Sequence, residues 1–211
     1  MKTILTNYNE QNNLWPQDGR HIMAQYDAEN ITVYQAYRPE IGHYAAKHQQ
    51  FGGAYRFSRM SWIKPNFLWM MYRSGWGTKE GQEVTLAITI PRPLFDEILS
   101  LAVPSTYNSQ LYSKQEIWKK AVTNSNVRLQ WDPDHGPHGE PLERKAIQLG
   151  LRNDILERYA RSEVIRIDDI SDFVAEQRNN LHKKFDQLTT PEERVYIPDN
   201  LPDLTNIGIT Q

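Results

Sequence analysis

The chain has 211 residues, 24 basic and 26 acidic for a formal net charge of -2, and no cysteine. A chain of that length buries roughly 70% of its unfolded surface around one core and needs no covalent staple. The missing cysteines exclude disulfides, thiolate metal sites, iron–sulfur clusters and cysteine nucleophiles, and the near-neutral balance excludes wholesale wrapping of nucleic acid.

In chain order, residues 1–19 are polar and proline-punctuated, and they predict a flexible lead-in from which Leu14 and Trp15 dock on the body. Asn30 to Tyr37 is rich in β-branched and aromatic residues and predicts a strand, with Ile31, Val33, Gln35 and Tyr37 on one face. Pro39 then suits the first turn of a helix that Gly52 and Gly53 stop. Pro65 suits the N1 position of a second helix, Asn66 to Ser74, closed by Gly75 and apolar on nearly every side, hence buried centrally. Glu83 to Ile90 alternates as a strand, and Leu94 to Ala102 follows as an amphipathic helix. Tyr107 to Thr123 predicts another helix, with Leu111, Trp118 and Val122 toward the core. Val127 to Trp131 and Lys145 to Leu151 predict strands separated by a proline- and glycine-rich loop, Asp132 to Leu142. A helix over Asp154 to Ala160, a strand over Val164 to Ile167 and a helix over Ile170 to Phe185 complete the series, and an irregular tail is expected from Thr189. Strands and helices mixed without regular alternation predict an α+β class: one domain over 20–197, a largely antiparallel sheet, a buried central helix, and an irregular terminus over 198–211.

No Asp or Glu occurs between Glu40 and Glu80, whereas Lys47, Arg56, Arg59, Lys64, Arg73 and Lys79 all do. Cations without acidic neighbours set up a local field for an anion, and the interleaved aromatics can stack a ring. If this block were only core, Arg59, Lys64 and Arg73 would point apart; if it binds an anion, they converge. Gln35, Tyr37 and Arg38 sit where a strand end meets a helix start, and a buried glutamine bonded to backbone is the competing account of Gln35. Gln130, Asp132 and Gln148 are polar groups on or just after strands, Asp132 serving either as a general base or as a turn cap. His135, His138 and Glu140 lack the spacing of ordinary zinc motifs, so no metal is expected. No G-x-G-x-x-G, P-loop or G-x-S-x-G is present. No apolar run approaches the ~20 residues a membrane span requires, and the N-terminus has no signal pattern, so a cytoplasmic protein off the membrane is expected.

Val33 to Tyr37, Arg59 to Glu83, Val127 to Pro133 and Ala146 to Leu151 resemble the signature blocks of domain-of-unknown-function family 4291, over roughly residues 20–197. More distantly, Tyr34 to Tyr37 followed by Ile41, Ala45 and Gly52 is similar in layout to the opening of ADP-ribosyltransferase-like domains. There a strand bearing a His-Gly-Thr-like triplet leads into a short helix and a glycine. That resemblance implies NAD as the cofactor-like substrate. It puts Gln35 at the histidine position, against the ribose, and Tyr72 or Trp69 stacked on nicotinamide. Gln130 or Gln148 would be the late-strand polar group. The pyrophosphate would lie on Arg38, Arg59 and Lys64, with Tyr37 and Arg73 beside it. The alternative is a non-catalytic or RNA-processing module that runs nucleic acid along the same basic, aromatic zone.

Overall fold

In the computed structural model, which describes residues 3–199 and 207–209, the chain opens with β1 (Leu5–Asn7), α1 (Tyr8–Asn12), β2 (Met23–Ala24) and β3 (Asn30–Tyr37). It continues through α2 (Pro39–His48), β4 (Ser61–Ile63), α3 (Phe67–Ser74), β5 (Val84–Pro91), α4 (Arg92–Ser100) and β6 (Ala102–Pro104). Next come α5 (Gln115–Asn124), β7 (Val127–His135), β8 (Pro141–Leu151) and α6 (Asn153–Glu157), which runs on as a π-helical turn, Arg158–Ser162. It closes with β9 (Arg166–Asp169), α7 (Ser171–Lys183), β10 (Thr189–Pro191) and β11 (Arg194–Val195).

The class is α+β, and its sheets are mostly antiparallel. Two of them do the organising: β3-β5-β9, and β4-β8-β7-β6, in which only the β6–β7 pair is parallel. They pack with one core between them, built from Ile31 and Val33 on β3, Leu86 and Ile88 on β5, and Ile63, Leu129, Leu149 and Leu151 on the other sheet. Because side chains alternate across a strand, that arrangement turns Trp62, Gln130, Asp132, Gln148 and Gly150 to the opposite face of the four-stranded sheet. The sheets meet where Tyr34 N–H donates to Lys64 O at 2.7 Å and Lys64 N–H to Tyr34 O at 3.2 Å.

The second core lies on the far side of β3 and β5, where α3 and α7 pack with Tyr34, Phe67, Met71 and Val174. This is the buried central helix expected from its all-round apolar sequence: six of its eight residues are buried. Its start is one residue later than expected. Asn66 is the N-cap, accepting from Trp69 N–H at 2.6 Å, so Pro65 precedes the cap, while Gly75 closes the helix at φ 58°. Gly42 on α2 lies against Val84, where a Cβ would come within 2.4 Å of a methyl, so glycine lets α2 reach β5. It is Gln49, at φ 56°, and not the later glycines, that ends α2; its amide group bonds both N–H and C=O of Ile167 on β9, offsetting the left-handed backbone.

Four further expectations are corrected. The helix expected from Tyr107 begins only at Gln115, because Asn108 turns the chain with its side chain on Gln110 N–H; α5 has no fully buried residue, and Trp118 is tied to Pro104 O instead of entering the core. The loop after Trp131 shrinks to residues 136–140, since β7 continues through an irregular register at Pro133 so that Asp134 can meet Arg144 in the interior. Thr189 onward is not irregular at first: β10 pairs with β1, and β11 with β2. Within residues 1–19, a strand and a helix form; Trp15 docks, while Leu14 stays 85% exposed. The rest of the expected C-terminal tail lies mostly outside the described residues. No described helix is long and apolar enough to cross a membrane.

Candidate functional site

Lys64 follows β4 directly, and continuing the β4–β8 register by one residue sets it opposite Gln148. Its backbone N–H and C=O both bond Tyr34 of β3, and its side chain lines a cavity of about 750 Å³, within the range of small-molecule sites. The loop before β4 brings Arg56 and Arg59 to the same cavity, the end of β3 brings Tyr37 and Arg38, α3 brings Arg73, and β8 brings Gln148. No acidic residue lines it.

Burial separates these cations. Arg38, Arg56, Arg59 and Arg73 are exposed at the rim, whereas Lys64 is only 5% exposed. Arg38 pairs with Glu40 at 3.1 Å, but Lys64 has no hydrogen bond or ion pair for its ammonium among the described residues. Burial, then Arg73, pulls the Lys64 ammonium down to about 8, and Asp132 partly opposes this. The other deeply buried cation behaves differently: Arg144 donates from Nε to Asp134 at 2.8 Å and from Nη1 to Pro16 O at 2.6 Å. Lys64 thus differs from Arg144 in facing a cavity with its buried charge unpaired among the described residues.

Beneath Lys64 lies a polar clamp. Gln130 and Gln148 each donate an amide N–H to one oxygen of Asp132, both at 2.7 Å, so the carboxylate is held across β7 and β8. Gln148 keeps its carbonyl oxygen without a partner among the described residues. Gln130 does not reach this cavity; it borders a second, of about 380 Å³, with Tyr107 and Trp131.

Gln35 lines the main cavity at 2% exposure, but its amide is already committed. It donates to Ser61 Oγ at 2.8 Å and Trp62 O at 3.0 Å, and it accepts from the Tyr159 hydroxyl at 2.8 Å. Tyr37 bonds the same Ser61 hydroxyl at 2.8 Å. Gln35 therefore acts as a brace that joins β3 to β4 behind the cavity wall. The competing account, a buried glutamine satisfied by its own fold, describes it better than a ribose contact.

The two aromatics expected to stack on a ligand are placed elsewhere. Met70 and Arg73, three residues apart on α3, share the stripe that faces the cavity, and Trp69 and Tyr72 share the adjoining stripe. Tyr72 stacks on His135 with ring centroids 3.4 Å apart and planes 9° apart, and Trp69 lies 5.5 Å from the same imidazole at 12°. A helix turned by one residue separates these functions, and periodicity alone could not assign the stripes. The aromatics that do line the cavity are Tyr37, Tyr55 and Trp62. Of the lining residues given no role from sequence, Arg56 had a signal in the acid-free zone, and Ser61 and Gln82 lay within the Arg59 to Glu83 block; Tyr55 had none.

The model of the family described as domain of unknown function (DUF4291) matches residues 21–196, and the chain belongs to that family. No curated protein matches the chain.

Proposed function

We propose that this member of the DUF4291 family is an NAD-using, ADP-ribosyltransferase-like enzyme whose cleft is the cavity at Lys64. The observation that carries the reading is the convergence of Arg38, Arg59, Lys64 and Arg73 on one acid-free cavity of dinucleotide size, walled by Tyr55 and Trp62. In this reading Lys64, Arg59 and Arg73 hold the pyrophosphate, and Trp62 or Tyr55 stacks a ring in place of Tyr72 and Trp69. Gln148, its N–H occupied by Asp132, offers its carbonyl oxygen to a ribose hydroxyl. When the bond from ribose to nicotinamide breaks, nicotinamide leaves with the electron pair, and the acceptor adds to the ribose carbon as it gives up a proton. The Asp132 carboxylate lies outside the lining and, by accepting from Gln148, fixes which way that amide faces the ribose. A cytoplasmic setting belongs to the same reading.

Isothermal calorimetry and saturation-transfer NMR test it. Millimolar NAD should bind, and Arg59→Ala or Arg73→Ala should weaken it by roughly tenfold each, the scale of one charge-assisted contact. No detectable binding at millimolar NAD would end the proposal. The second reading, a nucleic-acid track, draws on the exposed arginines at 38, 56, 59 and 73 along the rim. It requires single-stranded RNA binding that falls steeply with salt, and salt-indifferent or absent binding removes it.

A further inference from the structure

We propose that Lys64 is a carbonyl-capturing lysine, forming an imine with a small phosphorylated aldehyde or ketone whose phosphate is held by Arg59 and Arg73. The proposal stands apart from NAD binding, because it uses the amine of Lys64 as a nucleophile and not its charge.

Three features of the geometry support it. Lys64 is buried at the wall of an open cavity and has no hydrogen bond or ion pair among the described residues, so no internal donor occupies its lone pair and no internal acceptor its protons. Its backbone N–H and C=O are both bonded to Tyr34 of β3, and it directly follows the paired strand β4, so the amine is delivered from a rigid element. The cations that share the cavity stand where an anionic substituent on the electrophile would be retained.

Burial, Arg73 from α3 and Asp132 from β7 set its charge, while Arg38 from the end of β3 and Arg56 and Arg59 from the loop before β4 share the cavity. With the ammonium at about 8, about a tenth of the amine is free at pH 7, against well under a thousandth for an ordinary lysine. A desolvated lysine beside another cation is the usual way such an amine is made nucleophilic. In the step itself, Nζ donates its electron pair to the carbonyl carbon and a carbon–nitrogen double bond forms. The carbonyl oxygen leaves as water with the two amine protons, so no oxidant, reductant or metal is required.

The intact protein is treated with pyridoxal 5′-phosphate, reduced with borohydride, which adds hydride to the imine carbon and locks it, and mapped by peptide mass spectrometry. Lys64 should be labelled at least about tenfold faster than the exposed Lys47 and Lys79. Its rate should rise with pH to a midpoint near 8. Unphosphorylated pyridoxal should label it more slowly, and inorganic phosphate should compete with the phosphorylated probe. Arg73→Ala should remove the phosphate preference and move the midpoint upward, a change that a merely structural lysine would not show. Labelling of Lys64 no faster than that of Lys47 and Lys79, or labelling indifferent to the phosphate, overturns the proposal. Calorimetry with NAD on the same protein is read separately, so failure of one proposal leaves the other standing.

Discussion

Lys64 opposes the stability of its own fold. Its ammonium is pulled down from the ordinary 10.5 to about 8 by burial and by Arg73, so the folded state binds fewer protons than the unfolded chain between those values. Stability therefore rises with pH across that window, and below it the full cost of the buried charge remains. Lys64→Met removes the charge at similar volume and should stabilise the protein by roughly 1 to 3 kcal/mol at pH 7 in urea titrations, a gain that fades as pH approaches 10. The same substitution should abolish imine formation and weaken anion binding, and a destabilised variant would show that the ammonium is paired after all. Gln35 makes the contrast. It is just as buried, but its three hydrogen bonds make Gln35→Ala a structural lesion, expected to cost about 2 kcal/mol by leaving the Tyr159 hydroxyl without its acceptor and Ser61 with Tyr37 alone.

At the scale of the element, α3 decides the geometry of the site, because it carries Arg73 to the cavity and Tyr72 away from it. Its N-terminus is held from a distance. Glu193, fully enclosed near the C-terminus, accepts from Phe67 N–H at 2.6 Å and from Asn66 Nδ2 at 3.1 Å, so an acidic group sits at the positive end of the helix dipole. Glu193→Ala should cost about 2 kcal/mol by leaving those donors without acceptors, measured as a shift of the urea midpoint. Burial raises the Glu193 carboxyl well above the usual carboxylate range, with the Phe67 N–H opposing it. The folded state then retains a proton that the unfolded chain loses, so stability falls as pH rises past the ordinary carboxylate value. Compared with Glu193→Gln, the wild type should lose ground over that rise; a pH-independent difference would mean that the carboxyl titrates normally. Nothing local to Pro65-Asn66-Phe67 shows that this cap comes from residue 193.

Over the whole molecule, the segment 5–16 closes on the segment 189–193. β1 pairs with β10, Trp15 donates from its indole to Glu193 O at 2.8 Å, and Arg144 lies over the Trp15 ring at 5.1 Å while bonding Pro16 O. This strap covers the buried Asp134–Arg144 pair, so Trp15→Ala should cost about 3 kcal/mol and make the N-terminal segment the first site of limited proteolysis. By itself the sequence determined the family, the α+β class, the buried central helix and the acid-free cationic block, since these rest on periodicity, capping residues and composition, which are local. Asn30 to Tyr37 and Phe67 to Ser74 were legible for that reason. The tertiary structure alone decided which cations meet, which stripe of α3 faces the cavity, that Gln35 is spent on internal bonds, and that Gln130 and Gln148 clamp Asp132. It also decided that Leu5–Asn7 pairs with Thr189–Pro191 and Met23–Ala24 with Arg194–Val195. Each of these depends on register between strands far apart in sequence, and a shift of one residue, or 100° of helix rotation, exchanges one set of side chains for another.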